Sequence, residues 1–356
     1  MKELKLMKGN EALAEAAIRA GCDAYFGYPI TPQSEVLEYL SREAEQRTGM
    51  VVLQAESEIA SINMVYGAAG TGKKIMTSSS SPGISLMQEG ISYIACAELP
   101  CLLVNVNRGG PGLGTIQPGQ GDYFQTVKGG GHGDYRLIVL APATVQEMAD
   151  FVKEGFELAF KYRNPVMILT DGALGQMMEK VELFPQQERK FEELAWATTG
   201  KSANRQKNAI TSLHLKAEQM EEVNIALQKK YKEIEKNEIR YESINCEDAD
   251  IIITAYGLVA RICTKSAQLA REKGIKVGVL RPISLFPFPY DVINKYANKV
   301  QGILDVEMNA GQMVEDVRLA VNGKVPVEFY GRMGGVVPDP EEILKVLEEK
   351  FVGAAV

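Results

Sequence analysis

Four side chains in this sequence have the chemistry of a reactive or substrate-binding site. Thr31 lies between two prolines in the stretch 27–35 (GYPITPQSE), which is too polar and too kinked for ordinary core packing. Glu56 and Glu58 precede a mostly apolar run, and Arg108 precedes a glycine-rich stretch. Carboxylates can transfer protons, and a guanidinium can bind a carboxylate through two parallel hydrogen bonds.

Each of the charged residues also has a structural explanation. Glu56 and Glu58 open a predicted helix, where the helix dipole favours carboxylates, so they could simply cap it at the surface. Because that helix is largely apolar, however, its surroundings would favour the neutral form of a carboxylate, which a proton-sharing role near neutral pH requires. Arg108 follows a predicted strand, where open α/β sheets bind ligands, or it forms a surface salt bridge.

The remaining reactive residue types are few. His132 and His214 are the only histidines, so the sequence offers few residues for a histidine-based triad or metal site. His132 lies in the loop 129–136 (GGGHGDYR), which is either a tight connection or a contact for a ligand or a second subunit. The five cysteines are scattered and lack a C-x-x-C pair, which supports neither disulfides nor a zinc or iron–sulfur site, and we predict no metal ligand in this chain.

The composition excludes several classes of protein. With 356 residues, 46% of them apolar and 24% charged, the chain is large enough for two globular domains. A net charge of −7 argues against a nucleic-acid partner, which would need a basic face. No apolar run reaches the roughly 20 residues that span a bilayer, and the first residues lack the apolar core of a secretory signal. We therefore expect a cytoplasmic protein without a membrane partner.

The order of apolar runs predicts an α/β protein. Short apolar strands alternate with helices of about ten or more residues, which is typical of a doubly wound parallel sheet with helices on both faces. We place a first domain at 1–185, a charged helical linker at 186–247 and a smaller doubly wound domain at 248–356.

Two helix starts and one biased segment complete the local predictions. Asn10 is predicted to be the N-cap of the first helix. Thr31 is predicted to be the N-cap of another helix, with Pro32 at its first position, where a missing N–H costs nothing. The biased segment is a run of four serines at 78–81.

Six longer stretches, spread collinearly over both predicted domains, carry more specific information. They are YPITP at 28–32, QAESEIASINMVYGAA at 54–69, SPGISLMQEGISYIACAELP at 81–100, NRGGPGLG at 107–114, QGDYFQTVKGGGHGDYR at 120–136 and VEMNAGQM at 306–313. Together they resemble the α-type subunit of the 2-oxoacid:ferredoxin oxidoreductases. The resemblance implies a pyrimidine-type domain for thiamine diphosphate, followed by a transketolase C-terminal-like domain.

The resemblance also implies roles for single residues. Glu58, rather than Glu56, is expected to contact N1′ of the cofactor's aminopyrimidine and to favour its imino tautomer. Thr31 is expected to donate a hydrogen bond to the 2-oxo acid, and Arg108 to hold the substrate carboxylate. All three would then face one cleft. The other residues of the stretch expected to contact the cofactor are Pro29 and Ile30.

The same resemblance implies that this chain needs partners. The sequence lacks a G-D-G motif followed by Asn-Asn, so a β-type subunit is expected to hold the diphosphate and Mg²⁺, and the iron–sulfur clusters are expected on γ- or ferredoxin-like subunits. The implied reaction converts a 2-oxo acid and coenzyme A to acyl-CoA, CO₂ and reduced ferredoxin.

The substrate is a finer expectation. The loop KGGGHGDYR and the short N-terminus look closest to the subgroup that uses 3-methyl-2-oxobutanoate, with 2-oxoglutarate or pyruvate as alternatives. Two other classes stay open, a subunit of a non-redox thiamine enzyme and a non-catalytic scaffold subunit.

Overall fold

Two parallel sheets wrapped by helices form the body of the chain, which confirms the predicted α/β class. The computed structural model describes residues 3–189, 193–201 and 205–353. The elements of the first part are β1 (Glu3–Lys8), α1 (Gly9–Arg19), β2 (Ala24–Gly27), α2 (Ser34–Thr48), β3 (Val51–Gln54), α3 (Glu58–Ala69), β4 (Ile75–Ser79), α4 (Ser81–Cys96), β5 (Leu102–Asn107), β6 (Ile138–Leu140), α5 (Val145–Tyr162), β7 (Val166–Asp171), α6 (Gly172–Gln176) and β8 (Met178–Leu183).

The second part begins with a long helix and continues with a smaller sheet. Its elements are α7 (Ala217–Asn237), β9 (Tyr241–Ile244), β10 (Ile251–Thr254), α8 (Gly257–Glu272), β11 (Val277–Pro282), β12 (Ser284–Phe286), α9 (Tyr290–Ala297), β13 (Gly302–Glu307), α10 (Met313–Val321), β14 (Val327–Gly331) and α11 (Pro340–Leu347). Among the described residues, no helix is both long and apolar enough to cross a membrane.

The large sheet has the strand order β12-β6-β7-β5-β4-β2-β3. Its strands run parallel except β12, which pairs antiparallel with β6. The central strands β4, β5 and β7 are buried along their whole length, because helices cover both faces of the sheet. Their carboxyl ends lie at one edge, which is where ligands bind in sheets of this kind.

The small sheet has the order β14-β13-β10-β11-β9, with β9 antiparallel to β11. Strand β9 lies within the predicted linker at 186–247, yet it belongs to this sheet. Strand β12 lies within the predicted second domain at 248–356, yet it extends the large sheet. One strand of the predicted second domain therefore joins the sheet of the first. The predicted boundaries, which rest on composition, stay a prediction.

Helix α7, within the predicted charged helical linker, buries one narrow apolar stripe. Its buried residues are Leu227, Tyr231 and Ile234, spaced three and four apart, and most of its other residues are charged or amide residues. The Tyr231 ring meets the edge of Phe286 in β12 at a centroid distance of 6.4 Å. The helix thus packs on the strand that joins the two domains.

The predicted start of α2 is wrong. The helix begins at Ser34 with Gln33 as its N-cap, so Thr31 caps nothing. The backbone N–H of Gln33 donates to the Ile30 carbonyl oxygen (3.0 Å), which closes a four-residue turn with a cis Thr31–Pro32 peptide. Because the chain is still in this turn at Thr31, helical geometry starts only afterwards.

The predicted N-cap of the first helix is also wrong. Helix α1 begins at Gly9 with Lys8 as its N-cap, and Asn10 lies inside the helix with its side chain fully buried. The Nδ2 of this buried amide donates outside its own helix, to the turn that precedes α2, while its Oδ1 has no hydrogen-bond partner among the described residues.

Candidate active site

A chain of hydrogen bonds ties the turn after β2 to the neighbouring strand β4. The Ser78 hydroxyl donates to Gln33 Oε1 (2.6 Å), so the Tyr25 hydroxyl is the donor in its 2.7 Å hydrogen bond with Ser78. Gln33 Nε2 in turn donates to the Tyr28 carbonyl oxygen (3.2 Å). The turn is therefore fixed relative to the carboxyl edge of the sheet.

Helix α1 holds the same turn from the other side. Asn10 Nδ2 donates to the Pro32 carbonyl oxygen (2.7 Å) and to Glu35 Oε2 (3.0 Å). Gln176 Nε2 donates to Glu35 Oε1 (2.7 Å). With its backbone held in this way, the turn leaves Thr31 exposed at the sheet edge. The two other predicted cofactor contacts lie in the same turn, where Pro29 is exposed and Ile30 is half-buried.

Arg108 directly follows β5 and is only 7% exposed. Its Nη1 donates to the Thr31 carbonyl oxygen (2.9 Å) and its Nη2 to the Leu113 carbonyl oxygen (2.8 Å). Its Nε is buried without a hydrogen-bond partner. Arg108 forms no salt bridge with any described residue, and its burial contradicts the alternative of a surface salt bridge. The structure instead brings Arg108 and Thr31 into direct contact.

Glu58 is the first residue of α3 and is 6% exposed. The helix cap is Ser57, whose hydroxyl accepts from the Ala60 N–H (3.2 Å), so Glu58 is not needed as a cap. Within the part of the chain that the structure describes, its carboxylate accepts no hydrogen bond. Glu56, in contrast, is exposed and accepts a hydrogen bond from Ser57.

The first turn of α4 connects Glu58 with Arg108. A Cβ atom built on Gly83 would lie 2.5 Å from Glu58 Oε1, so only glycine lets the carboxylate approach this helix so closely. Two residues earlier, the Ser81 hydroxyl accepts from the Arg108 N–H (3.1 Å). Glu58, Arg108 and Thr31 therefore border the same edge of the large sheet.

Polar atoms at this edge are buried without partners. They are Ser79 Oγ, Ser80 Oγ, Asn107 Nδ2 and Arg108 Nε, all at the ends of β4 and β5. Each such atom costs about 1–3 kcal/mol unless something satisfies it, and native proteins rarely leave them clustered. The cluster fits a polar ligand at the sheet edge.

The sequence alone predicts no role for Ser79, Ser80 or Asn107. The run of serines at 78–81 was a signal that could have found Ser79 and Ser80, because a run of hydroxyls at a strand end is unusual for packing. Asp122 had no signal beyond its position in QGDYF. Its Oδ2 accepts from Asn105 Nδ2 (2.8 Å), and Asn105 Oδ1 accepts from the Ser81 N–H (3.2 Å).

The loop with His132 packs on α4. His132 Nδ1 lies 3.4 Å from Ser92 Oγ, and its ring meets Tyr93 edge-on at 6.1 Å. Gly131 N–H donates to the Tyr135 hydroxyl (3.0 Å). Both sequence alternatives for His132 stay open. Among the described residues, no group of three or more His, Cys, Asp or Glu side chains could hold a metal ion.

Comparison with protein families identifies the chain. The family model for pyruvate flavodoxin/ferredoxin oxidoreductases, thiamine diphosphate-binding, matches residues 15–244, and the model for core domain II of pyruvate:ferredoxin oxidoreductase matches residues 249–343. The chain belongs to the 2-oxoacid:ferredoxin oxidoreductase family. It carries this family's thiamine diphosphate-binding domain, as the sequence resemblance implies.

Two named relatives match nearly the whole chain. The ketoisovalerate oxidoreductase subunit VorB of Methanothermobacter thermautotrophicus is 51% identical over 346 residues, which cover 97% of each chain. The 2-oxoglutarate synthase subunit KorA of Archaeoglobus fulgidus is 38% identical over 97% of this chain and 99% of its own. Both relatives are named as subunits of larger enzymes.

Two solved structures support the fold. The 2-oxoglutarate:ferredoxin oxidoreductase of Magnetococcus marinus, solved with 2-oxoglutarate, coenzyme A and succinyl-CoA, is 28% identical with a TM-score of 0.86. The match covers 98% of this chain and 65% of that one. A split-gene transketolase shares the fold alone, at 12% identity and a TM-score of 0.61 over 97% of this chain and 98% of its own.

A buried carboxyl group lies beside the cluster of unsatisfied polar atoms. Asp171 ends β7, in register with Asn107 of β5, and its Oδ1 accepts from the backbone N–H groups of Ala173 (2.8 Å) and Leu174 (3.1 Å). Burial raises the pKa of Asp171 to about 6, although these two hydrogen bonds act in the opposite direction.

We expect Asp171→Asn to remove a pH dependence of stability. A raised pKa in the folded state stabilises the protein fully below the unfolded pKa, and this contribution is lost as the pH rises through about 6. Asparagine keeps the capping oxygen without the charge. The variant should therefore gain up to about 3 kcal/mol on the wild type between about pH 4 and pH 7.

Thermal unfolding across this pH range measures the difference. The control is Asp134→Asn in an exposed loop, which removes a surface carboxylate and should change the stability by no more than about 0.5 kcal/mol. A difference between Asp171→Asn and the wild type that stays constant across the range would contradict the prediction.

Proposed function

We propose that this chain is the α-type subunit of an oxidoreductase that converts 3-methyl-2-oxobutanoate and coenzyme A to acyl-CoA, CO₂ and reduced ferredoxin. The observation that carries the proposal is that Glu58, Arg108 and Thr31 border one sheet edge in a chain that is 51% identical to a ketoisovalerate oxidoreductase subunit. The lower identity to the 2-oxoglutarate relative, 38%, favours the branched-chain substrate over 2-oxoglutarate.

The residues at the edge fit the pyrimidine half of thiamine diphosphate. Glu58 offers a buried carboxylate that no described residue engages, and the hydroxyls of Ser79 and Ser80 are unsatisfied. The cofactor would supply the nucleophilic carbon and the electron sink for decarboxylation. Glu58 would hold a proton at N1′ of the aminopyrimidine, and its burial would exclude competing water from that proton.

Arg108 and Thr31 would bind the substrate. Arg108 uses two of its five N–H groups on carbonyl oxygens, which leaves three for a carboxylate. The Thr31 hydroxyl is not consumed as a helix cap, because α2 begins at Ser34. It is therefore free to donate to the 2-oxo oxygen, while the Thr31 carbonyl keeps the guanidinium in place.

The partner subunits would complete the site. A β-type subunit would hold the diphosphate and Mg²⁺, for which this sequence has no motif, and γ- and ferredoxin-like subunits would hold the iron–sulfur clusters. Large apolar side chains lie exposed on the elements that carry the site, which supports a protein partner over this face. They are Ile59 on α3, Leu86 on α4, and Leu113 and Ile116 in the loop after Arg108.

A panel of 2-oxo acids tests this function on the complex assembled with its partner subunits. With thiamine diphosphate, coenzyme A and a viologen dye, we expect kcat/KM for 3-methyl-2-oxobutanoate to exceed that for 2-oxoglutarate and pyruvate by about tenfold or more, a difference of about 1.4 kcal/mol in transition-state binding. A preference for another acid would overturn the substrate. Turnover without dye reduction would indicate a non-redox thiamine enzyme.

Glu58→Gln tests the proton-transfer role. Glutamine fills the same space but cannot exchange a proton, so we expect turnover to fall by a factor of about 10² to 10⁴ with unchanged thermal unfolding. Glu56→Gln, two residues earlier and exposed, is the matched control and should keep nearly full activity. Near-normal turnover of Glu58→Gln would sink the assignment and favour a scaffold role.

Arg108→Ala tests carboxylate binding. We expect kcat/KM for the 2-oxo acid to fall by the equivalent of about 2–4 kcal/mol, because a charged pair in a water-poor site is lost. Arg108→Lys keeps the charge without the planar guanidinium, so its kcat/KM should lie between those of the wild type and Arg108→Ala. The KM for coenzyme A serves as the internal control and should not change. An unaltered kcat/KM for the 2-oxo acid would remove Arg108 from the substrate site.

A further inference from the structure

Gln120 of the first domain forms hydrogen bonds with three residues of the second domain. Gln120 is 3% exposed and uses both its backbone and its side chain on residues of the second domain. Its N–H donates to the Met308 carbonyl oxygen (3.0 Å), and its Oε1 accepts from the Met308 N–H (2.9 Å). Its Nε2 donates to the Tyr256 carbonyl oxygen (3.0 Å). Its own carbonyl oxygen accepts from Asn309 Nδ2 (2.8 Å) and from the Tyr256 hydroxyl (3.3 Å).

The segment just before Gln120 lies directly against Arg108. The Gly109 N–H donates to the Gln117 carbonyl oxygen (2.9 Å), and Arg108 and Pro118 form an isolated antiparallel bridge. Gly119 is so close that an added Cβ would lie 3.1 Å from the Arg108 carbonyl carbon and oxygen. The backbone of Arg108 is thus confined between this segment on one side and Ser81 of α4 on the other.

The residues after Gln120 have a separate anchor in the second domain. Gln312 Nε2 donates to the Gly121 carbonyl oxygen (2.8 Å), and Gln312 Oε1 accepts from the Phe124 N–H (2.8 Å). None of the described hydrogen bonds of Gln312 reaches the segment 117–119. Gln120 and Gln312 therefore hold different parts of the same loop at one interface.

We propose that Gln120 is a positioning residue through which the second domain sets the place of Arg108 in the substrate site. Fixing residue 120 fixes the segment 117–119, and that segment fixes the backbone from which the guanidinium reaches Thr31 and Leu113. A guanidinium binds a carboxylate best when both oxygens meet N–H groups, so a displacement of about 1 Å weakens substrate binding. The inference rests on the proposed role of Arg108 as the carboxylate ligand.

Gln120→Met tests the proposal in the assembled complex. Methionine has a similar volume but forms neither side-chain hydrogen bond, so no large cavity opens. We expect KM for the 2-oxo acid to rise about tenfold, as the loss of one to two hydrogen bonds would cause, with KM for coenzyme A unchanged. Amide hydrogen exchange of the peptide 108–118 should accelerate, because the hydrogen bond from Gly109 to Gln117 opens more often.

Gln312→Met is the matched control. It removes two hydrogen bonds from the same interface and should lower the unfolding temperature by a similar amount, while KM and the exchange of 108–118 stay at wild-type values. Equal KM values and equal exchange in the two variants would overturn the proposal, since a general loosening of the interface would then explain both.

Comparing Arg108→Ala with Gln120→Met separates the carboxylate-binding role of Arg108 from the positioning role of Gln120. If Arg108→Ala leaves KM for the 2-oxo acid unchanged, the carboxylate-binding role itself is wrong. If Arg108→Ala raises KM and Gln120→Met does not, only the positioning role is wrong.

Discussion

The buried guanidinium of Arg108 is the constraint on which the site depends. A buried charge costs several kcal/mol unless it is compensated. Here two carbonyl oxygens supply part of the compensation, and no described residue forms an ion pair with it. Burial raises the pKa of the nearby Asp122, although hydrogen bonds from Ser81 and Asn105 and the charge of Arg108 oppose the shift. Because no described residue forms an ion pair with the buried guanidinium, the cleft favours an anion that arrives from outside the chain.

Strand β4 serves two elements of the site because successive side chains of a strand point to opposite faces. Ser78 reaches the turn that carries Thr31, through its hydrogen bond to Gln33. Ser79, the next residue, lies against Gly83 and Glu58 on the other face. Through Ser78 and Ser79, strand β4 therefore contacts both the substrate side and the cofactor side of the proposed site.

A buried carboxylate fixes the turn through which the second domain contacts the first. Glu307, at the end of β13, accepts hydrogen bonds from the backbone N–H groups of Gln312 (3.0 Å), Met313 (2.9 Å) and Val314 (3.1 Å), at the start of α10. Asn309 Nδ2 donates to it as well (2.7 Å). Carboxylates are stabilised at helix N-termini, so this turn is well fixed. Its rigidity is what lets Asn309 and Gln312 act across the interface.

The sequence by itself determined the α/β class, the positions of most strands and helices, and Arg108 at the end of a strand, because periodicity and turn residues report on near neighbours in the chain. The collinear motifs pointed to the family and to Glu58. The tertiary structure alone decided that Thr31 lies in a turn instead of capping a helix, that Asn10 faces Pro32, that β9 joins the small sheet and β12 the large one, and that Gln120 is held by the second domain. The turn at Thr31 closes locally but is held in place by Asn10 and Ser78, and the other features rest on hydrogen bonds or strand pairs between residues far apart in sequence. Such pairs leave no local pattern that propensity or spacing could reveal.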